Sequence, residues 1–147
     1  MLAVALCALL SASLPAPDSS PAPGAVPSPP VHPRQATRTK REWGIDVIGV
    51  RQTAAGYMLE FRYRVVDAQK AKPLFERRTK PLLVDEASGA SFAVPTPPKT
   101  GALRNSNPPL ERHTYWMFFA NPGGFVKPGS RVSVVIGEFR ADGIVVQ

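Results

Sequence analysis

The stretch that most constrains the fold is Leu59-Glu60-Phe61-Arg62-Tyr63-Arg64-Val65. It alternates without a break. Leu59, Phe61, Tyr63 and Val65 fall on one side; Met58, Glu60, Arg62 and Arg64 fall on the other. Successive side chains of a strand point to opposite faces, so a period of two in aromatic and β-branched residues predicts a half-buried strand. One apolar face cannot be left in water, and a second layer has to cover it.

The chain after Glu42 reads as the strands of that covering. Trp43 to Arg51 predicts a first strand, with Ile45, Val47 and Gly49 on one side and Asp46, Ile48 and Val50 on the other, apolar enough for partial cover on both. Thr53-Ala54-Ala55-Gly56 predicts a turn, and Asp67 to Lys72 a loop or one helical turn limited by Pro73. Pro81 to Asp85 and Ala90 to Val94 predict a hairpin joined through Glu86-Ala87-Ser88-Gly89. Pro95 to Arg112 is a loop of 18 residues with five prolines. His113 to Ala120 is apolar on both faces and is expected at the centre of a sheet. Arg131 to Phe139 alternates again, Ala141-Asp142-Gly143 predicts a tight turn, and Ile144 to Gln147 a last short strand. About seven strands with regular turn signals and no convincing helix predict an all-β fold, a single antiparallel β-sandwich of immunoglobulin-like type. A small barrel is the alternative.

The turn Lys127-Pro128-Gly129-Ser130, with Pro then Gly leading into the valine-rich strand, resembles extracytoplasmic immunoglobulin-like domains of bacteria. The resemblance implies a fold. It implies no activity, because such folds carry many.

The N-terminal part has a different composition. Met1 to Leu14 is apolar or small throughout, too short to cross a bilayer and of the length of a signal-peptide core, although no Lys or Arg precedes it. A cleaved signal is therefore expected over 1–14, and with it a periplasmic or secreted protein. Cys7 is the single cysteine, and Leu6 before it argues against lipidation. Removal of the signal leaves no thiol, which excludes disulfides, thiol catalysis and Cys-ligated zinc from the mature chain. Eight of the 17 prolines lie between Pro15 and Pro33. Residues 15–41 are expected to be a proline-rich disordered linker with a basic end, and 42–147 the folded domain.

The net charge of +7 divides between these parts. Residues 1–41 carry four basic and one acidic residue, +3; residues 42–147 carry 14 and 10, +4. The domain is too mildly basic for the dense stripe of a nucleic-acid binder. Neither a Gly-x-Ser-x-Gly elbow nor a His-Glu-x-x-His, P-loop, EF-hand or dinucleotide motif occurs. The adjacent Asp85 and Glu86 point apart on a strand end, and a solvated hairpin explains them better than a paired-carboxylate site. No enzyme and no cofactor is expected.

Two surfaces remain. The polar face of the alternating strand carries Glu60, Arg62 and Arg64, with Arg51 nearby; guanidinium forks match carboxylates, so an anionic envelope polymer or an acidic envelope protein is the expected partner. The long loop, with Lys99 and Arg104, is expected to complete this contact, and removing Lys99 to Pro108 to abolish it without unfolding the domain. The alternative is a periplasmic copper-handling protein, because His and Met accept Cu(I) and Met58, His113 and Met117 are the remaining soft ligands. His113 and Met117 share a strand face but stand about 13 Å apart along it. The rings of Trp43 and Trp116 are expected in the core.

Overall fold

The computed structural model describes residues 31–147. The signal-peptide expectation and most of the proline-rich segment lie outside the described residues.

The basic end of the expected linker is a helix, α1 (Pro33–Trp43). Pro33 opens it, where a missing N–H costs nothing. His32 caps it by accepting from the Arg34 backbone N–H at 3.3 Å. Lys40 and Arg41 sit in the last turn, complementing the partial negative charge of the helix end. Gly44 ends it at φ 62° and donates to the Lys40 carbonyl. A side chain at Gly44 would place its Cβ 2.6 Å from the Asp67 carbonyl oxygen, so this close approach requires glycine. Thr39 is buried, and Trp43 packs edge-on against Phe139 with ring centroids 5.7 Å apart. Lys40 reaches Asp46 at 3.2 Å.

Seven strands follow, in two antiparallel sheets. The first sheet has the order β1 (Ile45–Thr53), β2 (Met58–Val65), β5 (Thr114–Ala120). The second has the order β4 (Ser91–Ala93), β3 (Leu82–Asp85), β6 (Arg131–Ile136), β7 (Phe139–Val145). One helical turn, α2 (Ala68–Ala71), is capped by the Asp67 carboxylate. The architecture is a β-sandwich. Leu59, Phe61, Tyr63 and Val65 are buried, as the alternation requires, and Leu83, Val134, Ile136 and Phe139 of the second sheet join the same core. Where β1 meets β7 the two sheets touch: Val50 and Val146 form a parallel bridge, and the Gln147 N–H donates to the Val50 carbonyl at 2.9 Å.

Three expectations change. The first strand begins at Ile45, because Trp43 belongs to α1. The strand from Thr114 is an edge, not the centre of its sheet; β2 is central, and a loop segment covers the β5 edge, with Phe118 N–H donating to the Leu103 carbonyl at 3.0 Å. Ala141-Asp142-Gly143 lies inside β7, where the register with β6 slips by one residue; the turn is at Gly137, φ 63°. Gly143 takes φ 67° in that bulge, which is the same backbone freedom a turn would have used.

Candidate binding face

The outer face of the β1-β2-β5 sheet is built by register. Arg51 stands opposite Glu60, Glu60 opposite Phe118, Arg62 opposite Trp116 and Arg64 opposite Thr114. Because Phe61 and Tyr63 face the core, the even-numbered residues of β2 all face outward.

Glu60 is the centre of this face. Its Oε2 accepts from Arg51 Nε at 2.5 Å and its Oε1 from Arg62 Nε at 2.8 Å. The carboxylate is only 5% exposed, while the two arginine side chains are 52% and 44% exposed. Burial pushes the Glu60 carboxyl up, but the hydrogen bonds and charges of Arg62 and Arg51 outweigh it and hold the group below its usual value. Both pairs use Nε. The terminal nitrogens of both guanidinium groups have no hydrogen-bond partner among the described residues. Arg64 is exposed and forms no ion pair among the described residues, since its cross-strand neighbour Asp46 is taken by Lys40. Arg51, Arg62 and Arg64 against Glu60 leave the face at +2, with the two paired guanidinium groups about half exposed.

Trp116 and Phe118 lie beside these arginines, ring centroids 5.0 Å apart, with Trp116 38% exposed. Trp116 is expected in the core; the register instead places it opposite Arg62 on the outer face of the sheet, where it is partly exposed. Its signal was in the sequence. A strand apolar on both faces is either sandwiched or presents an apolar surface. Ile48 adds an exposed apolar side chain near Arg51 and Arg62.

The other candidate residues stand elsewhere. Arg104 is buried, and its side chain turns away from this face to donate to the Thr79 carbonyl at 2.9 Å and the Glu76 carbonyl at 2.5 Å. Burial lowers its affinity for its proton. Lys99 is exposed on the turn Pro97–Gly101, and no bond or ion pair joins it to the arginine face. The structure thus gives the Arg104 side chain a bonding role inside the domain rather than a place on the arginine face. The segment Lys99 to Pro108 holds Arg104 and the Leu103 carbonyl, both bonded into the body of the domain, so its deletion is expected to cost stability. The loop is an ordered strap because backbone groups lying against the β5 edge must be paired.

The three soft ligands are not brought together. Met117 is buried in the core opposite Phe61, whereas Met58 is on the outer face at the far end of β2. His113 precedes β5 at the opposite end of the sheet, about 20 Å from Met58 along the strands, with Nδ1 3.0 Å from the Glu111 carbonyl. Among the described residues, no group of three or more His, Cys, Asp or Glu is placed to hold a metal ion. The Asp85 and Glu86 carboxylates serve the fold: Asp85 accepts from Ser88 N–H and Oγ, and Glu86 from Ser133 Oγ and Gly143 N–H. Among the described residues, no helix is long and apolar enough to cross a membrane. No family model, curated protein or solved structure matches this chain.

Proposed function

We propose that this protein is a non-enzymatic binding module of the cell envelope, periplasmic or secreted, that captures a carboxylate-bearing polymer on the outer face of β1-β2-β5. The observation that carries the reading is the Glu60 carboxylate buried beneath Arg51 and Arg62. It fixes two guanidinium groups at the cost of one negative charge and leaves their terminal donors facing solvent beside the Trp116 ring. Preorganised forks lose little freedom on binding, and a ring beside them offers an apolar floor to a sugar or peptide backbone. The apolar run at 1–14 supports the extracytoplasmic assignment. Asp85 and Glu86 are committed to hairpin and bulge, which supports a binding role over catalysis. The wide separation of Met58, His113 and Met117 favours no copper site.

We also read the sandwich as immunoglobulin-like. Its strand order, 1-2-5 facing 4-3-6-7, differs from the constant-type order by one strand: the fourth pairs with the third rather than the fifth.

Co-sedimentation of the full chain with insoluble polygalacturonate tests the function. Wild type is expected to bind and to be released by salt. Arg62→Glu/Arg64→Glu is expected to lose at least ~10-fold in affinity, the effect of about 1.4 kcal/mol. Equal binding by that variant, or capture of an acidic envelope protein with no polymer bound, overturns the reading.

A further inference from the structure

A second basic surface lies beside β4, the edge strand of the other sheet. A cleft of about 380 Å³ runs beside the β4 edge strand, between the segment before β3 and the strap after β4. Arg77, Lys80 and Arg104 line it, with Val94 and Thr96 from the far wall. A second lobe sharing Arg77 and Arg104 continues to Asn105. Neither lobe contains an aspartate or glutamate among its lining residues, so the cleft carries three positive charges and no negative one.

Arg104 is the unusual member. It is 8% exposed, yet no carboxylate lies within ion-pair distance of it among the described residues. Arginines this deeply buried are normally paired with an anion, because desolvating the charge is expensive. Among the described residues, the guanidinium is held by the neutral carbonyls of Thr79 and Glu76. The Glu76 carboxylate does not compensate it: Glu76 lines two other depressions, beside Pro73 and Pro108, and is absent from this cleft. The two carbonyls fix the fork in position, and Arg104 lines both lobes of the cleft.

We propose that this cleft binds a small organic oxyanion of two or more negative charges, a polycarboxylate or a phosphomonoester. Arg104 provides the fixed, buried cation at its base, and Arg77 and Lys80 close on the ligand from the exposed rim. The cavity volume matches a small metabolite and is too small for a folded partner. The Thr96 hydroxyl and the Asn105 amide add neutral donors, and Val94 gives the ligand body an apolar wall. The site is separate from the arginine face of β2, so the two proposals stand or fall independently.

The test is isothermal titration of the full chain with citrate and with glycerol 3-phosphate at low ionic strength. One saturable, salt-sensitive site for either probe is expected, and the tighter of the two identifies the oxyanion class. Arg77→Gln/Lys80→Gln changes only exposed side chains, so it leaves the fold intact, and it is expected to weaken the tighter probe at least ~10-fold. Arg104→Lys keeps the charge but loses the fork, and is expected to weaken it while circular dichroism stays that of wild type. Arg64→Glu, at an exposed position on the β2 face outside the cleft lining, is expected to bind as wild type does. No saturation by either probe up to millimolar concentration overturns the proposal. So does undiminished binding by Arg77→Gln/Lys80→Gln, or loss of binding in Arg64→Glu.

Discussion

Replacing Glu60 by glutamine removes one charge and almost no volume. In the folded protein two guanidinium groups donate to this carboxylate, at 2.5 and 2.8 Å, and it is 5% exposed. A hydrogen bond to a charged group contributes about 1.5–3 kcal/mol, and removing one partner of a fully buried pair costs about 3–5 kcal/mol. Neither upper figure applies, because Arg51 and Arg62 are about half exposed and recover water when the charge goes. Glutamine keeps one acceptor oxygen but turns its amide N–H toward the other arginine. The expected loss is about 1.5–2 kcal/mol near pH 7, a fall of about 5–10 °C in Tm for a domain of this size.

The pH dependence carries a sign of its own. Glu60 has a folded pKa held below its unfolded value, so its contribution is fully present above about pH 4.5 and is lost as pH falls through the folded value. The difference between wild type and Glu60→Gln should therefore be constant from pH 7 to 5 and shrink below about 4.5. Urea unfolding followed by tryptophan fluorescence at pH 7, 5, 4 and 3 measures it. A variant within ~0.5 kcal/mol of wild type at pH 7, the range of an ordinary surface change, refutes the argument that this carboxylate organises the arginine face. A gap that stays constant to pH 3 refutes the ionic origin.

Gly44→Ala should lower stability by about 2–4 kcal/mol, combining a left-handed backbone with a Cβ driven against the Asp67 carbonyl; the same urea assay measures it, and a loss below ~1 kcal/mol counts against the packing of α1 on the sandwich. Ala55 sits at φ 54° in the exposed turn between β1 and β2, so Ala55→Gly should relieve backbone strain and raise stability by about 0.5–1 kcal/mol, and a decrease would mean that the turn is not held in that conformation.

Much of the fold was legible locally. The alternation at Leu59 to Val65 placed a strand with the correct buried face, and the Glu86 to Gly89 and Lys127 to Ser130 turn signals lie where the chain turns. The helix at Pro33 is hidden by the proline density before it and by the basic residues within it. Its own signal was present: a proline at the first position, a basic last turn and a glycine just past the end. Ala141 to Gly143 misled for a physical reason, since a bulge and a turn ask the same thing of the backbone.

The arginine site was half legible. Glu60, Arg62 and Arg64 were assigned together because they share a strand face, and Arg51 because a hairpin brings the first strand alongside. In the sequence only their charge points to Arg104 and Lys99. Charge in a loop says nothing about which way the side chain turns.

The sequence by itself determined most of the strands, the apolar face of β2 and the basic character of the domain, because these follow from a period of two, from local turn chemistry and from composition. Which strand lies at a sheet edge is a matter of pairing between distant segments, and only the tertiary structure decided it. That choice exposed Trp116 beside Arg62, buried Glu60 beneath two arginines, and turned Arg104 inward to a cleft without a carboxylate. Each of these depends on contacts between residues far apart in the chain, where local pattern has no reach.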